Sequence, residues 1–121
     1  MQDEKKLKVQ QKALDYVEEV YRFSLMLPDS EKYNLISQIR RAATSIPLNI
    51  SEGAASNSKK EFKQFLSIAY RSAKEVLTCF ELIERLHSHK HLASKINELK
   101  IKGDEICKMT HSLRMKLTTE N

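Results

Sequence analysis

The chain has 121 residues, 31% charged and 40% apolar, with 21 Lys and Arg against 16 Asp and Glu and a formal net charge of +5. This length suits one domain with its own core, and the apolar share is too high for a disordered tail. Two glycines, two prolines and no tryptophan leave too few turn residues for a many-stranded sandwich, a barrel or a βαβ array, so the expected class is all-α.

The expected helices span about residues 5–27, 30–55, 58–87 and 91–118. In the first, Leu7, Leu14, Val17, Tyr21 and Leu25 form a stripe of helical period, with Ala13, Val20 and Ser24 beside it. Pro28 ends that helix, and Asp29 or Ser30 is placed to cap the next. The second helix then turns Tyr33, Ile36, Ile39, Ala43, Ile46 and Ile50 inward. Pro47 lies inside this pattern, where the lost N–H and the crowded preceding turn cost about 3 kcal/mol in a regular helix. Either the helix kinks there or it restarts with Pro47 in its first turn. The apolar spacing continues to Ala54, which favours a kink.

Ser58 and Glu61 match the S-x-x-E capping box and open the third helix. Its inward row is Phe62, Phe65, Leu66, Ala69, Ala73, Val76, Phe80 and Ile83. A second row, Ile68, Ser72, Cys79, Leu82 and Leu86, makes the stripe wide enough for a central position or for burial against another subunit. The fourth helix carries Leu92, Ile96, Leu99, Ile106, Met109 or Thr110, Leu113 and Leu117, interrupted by Gly103. Three short connections between four long helices predict an antiparallel up-down-up-down four-helix bundle, a rod roughly 35–42 Å long. The domain is single, covering residues 1–121.

The charged start MQDEKKLKVQQK lacks the apolar run of a signal peptide, and no stretch has the length of a membrane span, so the expected location is the cytoplasm. Cys79 and Cys107 fall on separate helices without metal spacing and are expected as reduced core thiols. Glu84 and His87 form an E-x-x-H pair, but no second E-x-x-H accompanies it as a di-iron bundle requires. His87, His89 and His91 sit beside lysine at a helix end, where solvation is the ordinary state. No nucleophile elbow or Gly-rich phosphate loop is present. No catalytic residue, metal ligand or cofactor is therefore expected.

Cation placement says more than cation number. Lys59 and Lys60 stand in the first turn of the third helix, where the dipole disfavours positive charge by about 0.3–1 kcal/mol each. With Lys63 they make a cluster beside free helix N–H groups, a combination suited to phosphate oxygens. Arg40 and Arg41, with Arg71 and Lys74 on the neighbouring helix, form a second candidate cluster. No zinc finger or aromatic RNP motif occurs, so RNA or DNA would be held through its backbone with little sequence preference. The plainer reading is a solvated basic surface, with Glu61 compensating the lysines and Arg40 pairing with a carboxylate.

Residues 33–86, YNLISQIRRAATSIPLNISEGAASNSKKEFKQFLSIAYRSAKEVLTCFELIERL, resemble the bacterial four-helix bundle family encoded in intervening sequences of 23S rRNA genes. The strongest parts are Ser37-Gln38-Ile39-Arg40-Arg41-Ala42, Ser45-Ile46-Pro47, Asn49-Ile50, Glu52-Gly53 and Ser58 to Leu66, and looser similarity covers nearly the whole chain. The family includes the accessory variability protein of diversity-generating retroelements, a homopentamer that binds nucleic acid and associates with a reverse transcriptase. The resemblance implies a non-enzymatic four-helix protomer in a ring, five-fold in symmetry, with nucleic acid or another protein such as a reverse transcriptase as partner. Arg40 and Arg41 match the family's basic pair. Pro47, Asn49, Glu52 and Gly53 match its kinked segment, with Pro47 and Gly53 shaping the backbone and Asn49 and Glu52 making polar contacts at the bend. Two positions depart from the pattern. Arg71 stands where a small glycine is common and is expected to hold the helices apart, and Leu77 replaces a common glutamate. Two functions follow: a self-associating nucleic-acid-associated adaptor, or a protein-interaction scaffold that does not itself bind nucleic acid.

Overall fold

The computed structural model describes residues 4–119. Its elements are α1 (Glu4–Ser24), a 3-10 turn (Asp29–Glu31), α2 (Leu35–Ala54), α3 (Lys59–Leu86) and α4 (Lys90–Thr119), with no strand among the described residues. Cross-helix contacts set the topology. Arg40 near the start of α2 reaches Ser24 at the end of α1, while Gln10 near the start of α1 reaches Pro47 further along α2. Ser72 of α3 bonds Ser45 of α2 at 2.8 Å. Arg114 and Lys100 of α4 meet Ser67 and Glu84 of α3, and Lys12 and Glu19 of α1 meet Glu105 and Lys102 of α4. Each neighbouring pair therefore runs antiparallel. The backbones adjoin in ring order α1–α2–α3–α4 and back to α1, the up-down-up-down arrangement. Diagonal helices meet through core side chains, as Phe23 and Phe80 do, edge to face with ring centroids 5.3 Å apart.

The inner rows expected for α3 and α4 form the core. Leu66, Ala69, Ala73, Val76, Phe80 and Ile83 are buried, as are Leu92, Ile96, Leu99, Ile106, Thr110 and Leu113. Fully burying each large side chain among them contributes about 1.5–3 kcal/mol. The outer row of α3 divides: Ser72 and Cys79 are buried, while Ile68, Leu82 and Leu86 are exposed.

In α1 the stripe differs from the expectation. Val9, Ala13, Tyr16, Val20 and Phe23 face the core, as does Leu27 just past the helix, while Leu14, Tyr21 and, past the helix, Leu25 are exposed. The buried row alternates steps of four and three residues and stays on one side of the helix, whereas the expected row lies one residue round from it. The side chain of Leu7 lies outside the described residues.

The α1–α2 connection also differs. α1 stops at Ser24, and Leu25, Met26 and Leu27 turn through bonds from their amides to the carbonyls of Arg22, Phe23 and Ser24. Asp29–Glu31 make a separate 3-10 turn, and α2 begins at Leu35 with Asn34 before it and no side-chain cap. Neither Asp29 nor Ser30 caps α2, and Tyr33, expected inside, is 89% exposed because it belongs to this connection.

α2 is a continuous helix through Pro47, so it does not restart there. Pro47 is buried and its carbonyl accepts a 3.1 Å bond from Gln10 Nε2 of α1. At the head of α3 the Glu61 amide donates to Ser58 Oγ at 3.1 Å, satisfying one of the free N–H groups of the helix start.

Both glycines are helical and neither has a positive φ. Their value is space. A Cβ on Gly53 would stand 2.8 Å from Phe62 Cδ1 and from Phe65 Cβ, and one on Gly103 would stand 2.9 Å from Leu77 Cδ2. Gly53 thus lets the α2 backbone approach α3. Arg71 does not hold these helices apart: it is exposed, while the next residue, Ser72, makes the bond to Ser45.

Candidate nucleic-acid interface

The two candidate clusters fall on different parts of the bundle. Lys59 and Lys60 are exposed in the first turn of α3, and Lys63 is half-buried one turn on. Lys59 borders a cleft of 610 Å³ at the bundle end, with Lys6 on its rim and Gly53, Phe62, Leu113 and Leu117 among its lining.

Arg40 turns toward α1. Its Nε donates to Ser24 Oγ at 2.8 Å, and its guanidinium lies over the Tyr21 ring, 4.6 Å from the centroid. Ser24 is fully buried and its hydroxyl donates at 2.7 Å to the Tyr21 carbonyl. Arg40 has no carboxylate partner among the described residues, which corrects the expected ion pair.

Arg41 is exposed on α2, with Nη2 3.3 Å from Ser37 Oγ. Lys74 lies over the Tyr70 ring at 5.6 Å, and that ring faces His111 of α4 at 6.1 Å. Lys74 is therefore on the α3/α4 side, across the ring of helices from the α1/α2 seam that holds Arg40. Arg40, Arg41, Arg71 and Lys74 do not form one cluster. They are spread round the outside of α2 and α3.

Charge pairing divides the molecule. On α4, Lys100 pairs with Glu84 at 2.9 Å, Lys102 with Glu19 at 2.7 Å, Lys95 with Glu98 at 3.4 Å and Lys108 with Asp104 at 3.2 Å; Lys12 of α1 pairs with Glu105 of α4 at 2.6 Å. Contact with Glu19 raises the Lys102 ammonium above its ordinary range, and the Lys102 hydrogen bond followed by the charge of Lys95 lowers the Glu98 carboxyl. On α2 and α3, Arg40, Arg41, Lys60, Lys63, Arg71, Lys74 and Arg85 have no carboxylate partner among the described residues.

In the segment expected to carry polar contacts, Asn49 Nδ2 donates to Ser45 O at 2.8 Å and to Ser45 Oγ at 2.9 Å, next to the Ser72 bond. Glu52 is exposed without an ion-pair or hydrogen-bond partner among the described residues.

The histidines do not converge. His87 Nε2 lies 2.6 Å from Glu31 Oε2, Glu84 is engaged by Lys100, and the His89 and His91 rings stack on each other at 5.6 Å. Among the described residues no three His, Cys, Asp or Glu side chains gather to hold a metal ion. Cys79 and Cys107 are free and buried, and burial pushes both thiols up, that of Cys79 to about 11. No helix among the described residues is long and apolar enough to cross a membrane.

Sequence reasoning missed the Tyr21–Ser24–Arg40 cluster because it placed Tyr21 and Ser24 on or beside the core stripe of α1. The available signal was the row from Val9 to Leu27, which leaves Tyr21 outside.

The model of the 23S rRNA-intervening sequence protein family matches residues 5–112. The chain belongs to this family. A crystal structure of a protein of unknown function from the S23 ribosomal protein family of Bacteroides thetaiotaomicron VPI-5482 has the same fold, with a TM-score of 0.82 and 26% sequence identity. The match covers 92% of this chain and 98% of that one. No curated protein matches the chain. This member of the 23S rRNA-intervening sequence family is a four-helix protein, and the descriptions it matches name families rather than a reaction.

Proposed function

We propose that this protein is a non-enzymatic, self-associating adaptor of the cytoplasm that holds RNA or DNA through phosphate contacts from α2 and α3, without a cofactor. The observation that carries this reading is the division of charge: Lys95, Lys100, Lys102 and Lys108 of α4 are matched by carboxylates, while Arg40, Arg41, Lys60, Lys63, Arg71, Lys74 and Arg85 of α2 and α3 have no carboxylate partner among the described residues. A paired lysine gains little from a phosphate that must displace its carboxylate. An unmatched one gains the full exchange of condensed counterions.

Self-association into a ring, five-fold as the resemblance implies, would align copies of that surface and concentrate its field. Exposed Leu48, Leu82, Leu86 and Ile101 supply apolar surface for such contacts. The same residues support the second reading, a scaffold for another protein such as a reverse transcriptase.

RNA binding measured by fluorescence anisotropy across a salt series, with light scattering on the same sample, tests the proposal. It expects an assembly larger than one chain and an affinity that falls steeply with salt. Absence of binding at low salt, or binding indifferent to salt, overturns phosphate recognition. Partners from lysate that persist after nuclease treatment favour the scaffold.

A further inference from the structure

We propose that the Arg40–Tyr21 stack is a platform for an unpaired base, so that the protein prefers single-stranded nucleic acid to duplex. This rests on the nucleic-acid reading above and adds the form of the ligand to it.

The arginine is held as a plane, not only as a charge. Its Nε is fixed by Ser24 Oγ at 2.8 Å, and the guanidinium lies 4.6 Å from the centroid of the Tyr21 ring. Ser24 cannot swing away, because it is fully buried and its own hydroxyl is committed to the Tyr21 carbonyl at 2.7 Å. Ser24 thus fixes the arginine, whose guanidinium in turn covers the Tyr21 ring, and little arginine rotamer freedom remains to be lost on binding. Neither Nη group has a partner among the described residues.

The setting suits a base. Tyr21 is 40% exposed, and Leu14 on the same side of α1 and Leu25 just past its end are exposed as well. Base faces are apolar and polarisable. They stack on aromatic rings and on guanidinium planes, while the adjoining phosphate accepts from free guanidinium N–H groups. A duplex keeps its base faces inside the helix and offers only phosphates, so it can use the charge of Arg40 and not the stack.

The test compares a single-stranded oligouridine RNA with an RNA duplex of equal length, at one salt concentration, by anisotropy. The wild-type protein is expected to bind the single strand more tightly. Because the chain contains no tryptophan but four tyrosines, the part of the tyrosine quenching that is lost in Tyr21→Leu reports the stacking. Tyr21→Leu is expected to lower the single-strand preference by at least about 5-fold, the low end of the loss for one stacked base, and to reduce the quenching. Tyr21→Phe keeps an aromatic ring and should keep the preference. Arg40→Lys retains the charge without the plane and should lower the preference as Tyr21→Leu does, with circular dichroism checking the fold of each variant. A wild-type protein that binds both forms equally, or a preference that survives both Tyr21→Leu and Arg40→Lys, overturns the platform and leaves phosphate binding standing. Binding of neither form overturns both.

Discussion

Gly103 of α4 makes room for Tyr16 of α1: a Cβ at position 103 would stand 2.5 Å from the tyrosine oxygen. The tyrosine is almost fully buried and its hydroxyl donates to the Leu99 carbonyl at 2.9 Å, so it cannot retreat without losing that bond. Gly103→Ala gains about 1 kcal/mol of helix propensity but overpacks this contact by about 1–3 kcal/mol. Urea unfolding should show a net loss of stability. Gly103→Ala combined with Tyr16→Phe should recover part of it, since the obstructing oxygen is then gone.

The α1–α2 connection is tied to the end of α3 by Glu31 and His87, 2.6 Å apart. The His87 hydrogen bond holds the Glu31 carboxyl below its ordinary range, with smaller support from the Leu35 amide and Asn34, and partial burial acting the other way. A carboxyl lowered on folding stabilises the fold above its unfolded value, and the contribution disappears as pH falls through the folded one. Thermal melts should therefore place Glu31→Gln below wild type near pH 5.5, and the gap should close as pH falls below the ordinary carboxylate range and through the lowered folded value.

Ser58 Oγ receives the Glu61 amide at the head of α3. Ser58→Ala should cost about 0.5–2 kcal/mol in chemical denaturation, while Ser58→Asp should stay within a few tenths of wild type because a carboxylate accepts the same bond.

The Cys79 thiol, pushed to about 11 by burial, is ionised at pH 8 to only roughly 0.1%. Iodoacetamide at that pH should leave Cys79 unmodified in the native protein and label it after denaturation, as read by intact mass.

The lengths of α3 and α4 and most of their buried faces are legible in the sequence, because their apolar residues repeat at helical spacing with a capping serine before α3. The face of α1 is not, since two adjacent rows both satisfy the helical period. What selects between them is contact with other helices, such as Phe23 on Phe80. Pro28-Asp29-Ser30 reads as a cap, but the chain makes a short 3-10 turn there and α2 starts later. Gly103 looks like an interruption until Tyr16 is placed beside it. The cations themselves are visible in the sequence. Which of them meet carboxylates depends on the register between helices, so the neutralised face of α4 and the turn of Arg40 onto Tyr21 emerge only in three dimensions.

The most direct test of the account removes two cations from α3 in one variant, Lys60→Gln with Lys63→Gln, and two paired lysines from α4 in another, Lys100→Gln with Lys108→Gln. Net charge changes equally in both, so the slope of log affinity for single-stranded RNA against log salt separates placement from charge. The account predicts a slope shallower by about 1 to 2 for the α3 variant and little change for the α4 variant. Equal slopes in the two variants, or a larger effect on α4, would contradict it.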